Sequence, residues 1–136
     1  MTPTTKLKKK LLIVDDNPGI RETIRLAVEE QDYLDIDFTE CSDVDSGIEQ
    51  LHKIRPDIVI LDLHMPNKSG FDFLDIMNTD EHLAKTKVIM MSADDSLPNI
   101  FKAGDKGINA YYFLGKPFDV SDLQALVLEI CLPLKT

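Results

Sequence analysis

No run of apolar residues in this chain approaches the ~20 that a membrane-spanning helix needs. The stretch Met1 to Lys10 carries charge without the apolar core of a secretory leader. Both absences point to a cytoplasmic protein with no membrane partner. Cysteine is scarce: Cys41 and Cys131 stand far apart and match no metal-ligand spacing, and Cys131 lies within the apolar run Leu126 to Leu132. They read as reduced packing residues, which leaves out a disulfide scaffold and a zinc site. A basic surface is also missing. Lys and Arg number 15 against 24 Asp and Glu, for a net charge of -9 and a pI of about 4.7. Such a surface repels nucleic acid and anionic membrane, leaving proteins as the expected partners.

Internal repeats, low-complexity tracts and linkers are absent too, and 136 residues with 43% hydrophobic content suit one domain around a sizeable core. Residues 1–10, with their lysines from Lys6 to Lys10, read as a flexible, solubilising basic segment. The domain is expected over 11–132, with 133–136 as a tail.

Strand-like and helix-like patterns alternate along the chain. Helices are predicted over Pro18 to Gln31, Val44 to Ile54, Phe71 to Asn78, Pro98 to Lys106 and Val120 to Cys131, with residues such as Ile20, Ile24, Ala27 and Val28 at helical spacing. Pro18 suits a first helical turn after Asn17, Ser42 and Asp119 suit N-caps, and Pro56 closes the second helix at Arg55. The alternating run Ile36 to Cys41 suits an edge strand, whereas the continuously apolar Ile58 to Leu61 suits a central one. Repeated β-α units require right-handed crossovers, which put helices on both faces of a parallel sheet and gather the loops at the strands' carboxyl ends.

Chemistry-bearing residues follow those strands. Asp15 and Asp16 come after Leu11 to Val14, Asp62 after Ile58 to Leu61, Ser92 after Val88 to Met91, and Lys116 shortly after Ala110 to Leu114. Taken singly, Ser92 is an ordinary strand-end hydroxyl, Lys116 an exposed lysine, and the acidic pair a solvated turn. Together they form a phosphoryl-transfer constellation. Three carboxylates in one place repel, so one carboxyl pKa must rise or a divalent cation must be recruited. Oxygen donors without a Cys or His cluster favour Mg2+, with Mn2+ as an alternative.

The runs LLIVDDNP, DIVILDLHMPNKSG, VIMMSADD and YYFLGKPF resemble those of a two-component response-regulator receiver domain over nearly the whole chain. The resemblance implies an α/β fold: a doubly wound (βα)5 domain with a five-stranded parallel sheet in the flavodoxin/CheY-like order 2-1-3-4-5. It implies that Asp62 accepts a phosphoryl group, Asp16 and Asp62 bind the cation directly, Asp15 acts through a metal-bound water, and the His64 backbone carbonyl completes the set. Ser92 and Lys116 would hold phosphoryl oxygens, and the Lys116–Pro117 bond would be cis. Ser92 would also move as a switch with an aromatic of the last strand, either Phe113 or Tyr111; Phe113 as plain core stands beside that reading. His64 and Asp94 flank the site and are candidates to set the phosphoryl lifetime, or are simply exposed loop residues.

The implied donor is a sensor histidine kinase or a histidine phosphotransfer protein. The implied output runs from the face of Pro98 to Lys106, Ala110 to Leu114 and the last helix to a downstream protein or a missing output domain, or to a second copy. The protein would then be no enzyme on an outside substrate; it would catalyse only its own phosphorylation and slow dephosphorylation. The alternative is a constitutive interaction module of the same fold. A haloacid-dehalogenase-like phosphatase expects Asp-x-Asp where this chain has Asp62-Leu63-His64, and a flavin binder would meet phosphate repulsion from Asp15 and Asp16.

Overall fold

In the computed structural model, residues 6–65, 67–83, 85–93 and 111–132 are described. The chain runs β1 (Leu7–Val14), α1 (Pro18–Glu29), β2 (Leu34–Cys41), α2 (Val44–Ile54), β3 (Ile58–Asp62), α3 (Gly70–Asn78), a 3-10 turn (Glu81–Leu83), β4 (Lys87–Ser92), β5 (Tyr111–Gly115) and α4 (Val120–Cys131). The helix predicted over Pro98 to Lys106 lies outside the described residues, as do Asp94 and Ala110.

Among the described residues all strand pairs are parallel, in the order β2-β1-β3-β4-β5. Every residue of β3 is buried, which its unbroken apolar run requires of a central strand covered on both faces. One core layer joins Leu12, Val14, Val59, Leu61 and Met90 to Leu51 of α2 and Phe73 of α3. The opposite layer joins Leu11, Ile13, Ile60 and Ile89 to Ile24 and Val28 of α1 and Leu123 and Val127 of α4. Among the described residues no helix is long and apolar enough to cross a membrane.

Local chemistry sets the element ends. The Asn17 carboxamide accepts from the N–H groups of Gly19 and Ile20, and Pro18 begins α1 without an N–H to satisfy. Asp43, not Ser42, caps α2 by accepting from Ser46 N; the carboxylate is the stronger acceptor next to a helix N-terminus. Asp119 is the N-cap residue of α4 by position, without a side-chain cap bond. Arg55 closes α2 in the left-handed conformation, φ 48°, just before Pro56, because the residue before a proline is disfavoured as helix. Ser69 and Asp72 form a reciprocal capping box on α3.

Strand β1 starts at Leu7, earlier than its apolar run, so Lys8, Lys9 and Lys10 belong to the sheet and not to a mobile segment. Its partner β2 likewise starts at Leu34 instead of Ile36, and Lys8 and Lys10 fall in register with Asp35 and Asp37. Opposite charges facing each other across the strands let the sheet extend past the apolar core.

The order of the strands reverses between β1 and β3, since β2 lies on one side of β1 and β3 on the other. Loops leaving a doubly wound sheet at such a point diverge and open a crevice at its carboxyl edge. Register pairs Val14 with Leu61, which brings the residues that follow β1 beside the last residue of β3.

Candidate functional site

Asp15, Asp16 and Asp62 meet in that crevice, each with a carboxylate oxygen within 4.8 Å of the others. Asp15 is 0% exposed and Asp62 4% exposed, whereas Asp16 faces solvent. Each of the four polar atoms of Asp15 is held. Its N–H donates to the Cys41 carbonyl (3.0 Å), its carbonyl accepts from Arg21 Nη1 (2.7 Å), and its Oδ1 accepts from Asn17 N (2.9 Å). The remaining oxygen, Oδ2, lies 3.0 Å from Lys116 Nζ.

Lys116 Nζ also lies 3.3 Å from Asp62 Oδ2, so one ammonium bridges the two buried carboxylates. Lys116 N donates to the Ser92 carbonyl (2.8 Å), which ties the base of the side chain to the end of β4. The Lys116–Pro117 bond is cis. Asp62 Oδ1 accepts from His64 N (3.0 Å), while the His64 side chain is exposed. Ser92, 1% exposed, ends β4 and pairs in register with Gly115. Gly70 closes the loop behind Asp62: a Cβ there would come within 2.6 Å of the Asp62 carbonyl oxygen.

Burial raises the Asp62 carboxyl above its ordinary range. The His64 N–H and the Lys116 ammonium oppose that shift, and the Asp15 charge adds to it. Among the described residues, three carboxylates against one ammonium leave the crevice with excess negative charge and oxygen donors, a donor set that fits a hard divalent cation. The residues also fit by position, since Asp16 offers a carboxylate from the solvent side and Asp62 one from the interior.

The sequence reading thus brought Asp15, Asp16, Asp62, Ser92 and Lys116 to one edge. It did not find three supports, Asn17 N, Arg21 and Gly70. Asn17 acts through its backbone N–H, Arg21 through a guanidinium on a backbone carbonyl and Gly70 through the absence of a side chain, and only the Asn17-Pro18 helix start gave a signal. Phe113 is half-buried and packs on the α2–α3 core layer. The Tyr111 backbone belongs to β5, and its side chain lies outside the description.

Residues 11–128 match the family model of the response regulator receiver domain. The transcriptional regulatory protein BtsR of Shigella flexneri is 36% identical over 115 residues, covering 85% of this chain and 45% of that protein. The chain therefore spans about half the length of the first curated relatives it matches. The chemotaxis protein CheY of Pseudomonas aeruginosa is 31% identical over 124 residues, covering 89% of this chain and 94% of that one. Among solved structures, the receiver domain of Francisella response regulator 1452 superposes with a TM-score of 0.74 at 29% identity, covering 90% of this chain and 95% of that one.

Proposed function

The chain belongs to the response-regulator receiver family, and on that premise we propose that it is a phosphorylation-activated signalling switch whose phosphoacceptor is Asp62. The observation that carries this reading is the Lys116 ammonium seated between Asp15 and Asp62 at the mouth of a three-carboxylate crevice. A carboxylate kept there has an oxygen nucleophile that needs no base. An Asp62 oxygen attacks phosphorus, the P–N bond of a phosphohistidine donor breaks with its electron pair leaving on the imidazole, and an aspartyl-phosphate forms.

Asp16 and Asp62 would hold Mg2+, or Mn2+ in its place, with Asp15 acting through a water and the His64 carbonyl completing the protein's share. The bound cation would neutralise donor oxygens that the carboxylates otherwise repel. The remaining work falls to the chain. Lys116, which pairs with Asp62, would follow charge from the carboxylates onto a phosphoryl oxygen, and the hydroxyl of Ser92, at the end of β4, would donate to another. Movement of Ser92 toward the phosphoryl group would open room beside β5 for Phe113, giving two arrangements of that face a few kcal/mol apart. The donor is a sensor histidine kinase or a histidine phosphotransfer protein, and the output a downstream protein or domain.

Intact masses of the protein and its Asp62→Asn variant, after incubation with Mg2+ and acetyl phosphate with and without chelator, test this function. A metal-dependent gain of one phosphoryl group, absent in the variant, is the expected result. No gain under conditions that label another receiver overturns it in favour of a constitutive interaction module.

A further inference from the structure

Arg21 stands one turn into α1 and is absent from the chemistry above, yet its side chain is only 18% exposed. Its guanidinium is spent on two acceptors from different elements: Nη1 donates to the Asp15 carbonyl (2.7 Å), and Nε to Glu40 Oε1 (3.0 Å) on β2. The other Glu40 oxygen accepts from Arg25 Nε (3.3 Å). The two arginines of α1 therefore grip one carboxylate at the end of β2, and Arg21 alone extends the grip to the crevice loop.

The atom that Arg21 holds matters because the Asp15 carbonyl and the Asp16 N–H belong to one planar peptide. Fixing that oxygen fixes the plane from which Asp16 departs. Asp15 has further anchors in the Cys41 carbonyl, Asn17 N and Lys116. The Asp16 side chain faces solvent and makes no hydrogen bond or ion pair among the described residues, so within them its backbone alone holds the point from which the carboxylate reaches towards the crevice. A rigid planar donor with two separated N–H groups suits this task better than a flexible ammonium would.

We infer that Arg21 is a positioning residue for cation binding: its fork between the Asp15 carbonyl and Glu40 fixes the peptide plane that aims the Asp16 carboxylate into the crevice. The inference rests on the proposed cation site and assigns the residue that preorganises it. Electrostatics alone gives Arg21 the opposite effect. A positive charge next to a cation site repels the cation, so removing it should tighten binding. Positioning requires that removing it weaken binding.

The test is Mg2+ titration of the parent chain and of Arg21→Ala, Arg21→Lys and Glu40→Gln, followed by amide NMR shifts at the crevice loop, with unfolding midpoints in chelator measured in parallel. Arg21→Ala should raise the Mg2+ Kd about tenfold, in the range typical for loss of a residue supporting a metal ligand. Arg21→Lys keeps the charge but loses the fork and should weaken binding by a smaller factor; it also carries the test if the alanine variant does not fold. Glu40→Gln, which loosens the fork from the β2 side, should weaken binding as well. Tighter binding in Arg21→Ala, or an unchanged Kd with only a lower midpoint, overturns the inference. A parent chain that does not bind Mg2+ defeats the proposed site itself, an outcome separate from the others.

Discussion

At the amino ends of β1 and β2, Lys8 and Lys10 lie in register with Asp35 and Asp37, and the Asp57 carboxylate accepts from Lys10 N (2.8 Å). At the carboxyl ends of β1 and β3, Asp15, Asp16 and Asp62 lie together; the buried pair, Asp15 and Asp62, shares the Lys116 ammonium, and Asp16 has no ion-pair partner among the described residues. Both edges are rich in charge, and in sequence both read as short runs of ionisable residues. The amino edge is solvated and balanced in sign, so it is satisfied as built. The carboxyl edge holds like charges out of water, and only a further cation or a change of protonation can relieve them. Burial combined with imbalance, and not charge density, separates a site from an ordinary face.

Replacing Asp62 breaks the carboxyl edge most completely. Asp62→Asn should lose phosphorylation outright while gaining stability in chelator, because one buried like charge disappears. The pH dependence fixes the sign. Burial holds the folded-state pKa of Asp62 above its ordinary value of 3.8, so its contribution to stability is fully present below 3.8 and is lost as pH rises through the raised value. Asparagine at this position does not titrate, so the variant's advantage over the parent should grow from acid towards neutral pH in urea unfolding midpoints. An advantage that is constant with pH would mean that Asp62 is not strained by its surroundings.

Gly70→Ala attacks the same edge from behind and should have the next largest effect. Its Cβ would press on the Asp62 carbonyl oxygen at 2.6 Å and on Leu63 Cα at 2.8 Å, both backbone atoms that cannot rotate away. Overpacking of this kind costs about 1–3 kcal/mol, visible in denaturant midpoints. Displacing the proposed nucleophile should slow acetyl-phosphate labelling roughly tenfold or more. Labelling at the parental rate would show that the site tolerates movement of β3.

The same contrast explains what could be read from sequence. Strand exits were legible because Ile58 to Leu61 and Val88 to Met91 are unbroken apolar runs, and a polar residue directly after such a run marks the sheet edge. The strand order and the grouping of Asp15, Asp16, Asp62, Ser92 and Lys116 followed from that pattern together with the family resemblance. The start of β1 was illegible because Lys8 to Lys10 have no apolar period of their own; their place in the sheet comes from Asp35 and Asp37 on another strand. Asp43 rather than Ser42 as the α2 cap turned on one residue of register between two competent capping side chains. The Arg21 hold on the Asp15 carbonyl had no signature, because a backbone acceptor leaves no letter in the sequence.

The smallest expected effect tests the amino edge. Lys8→Glu would set like charges in register with Asp35, and because both side chains are exposed the unfolding midpoint should fall by only about 1–3 °C. Adding Asp35→Lys reverses the pair and should restore most of the loss, and molar salt should shrink both changes because solvent-exposed charges are screened. Mg2+ affinity and labelling of Asp62 should be unchanged in both variants, since the swap lies at the opposite end of the strands from the crevice. A large loss that persists in salt, or any change in labelling, would mean that the amino edge is coupled to the site through β1, which Asp15 directly follows. The balanced edge would then be part of the site's support.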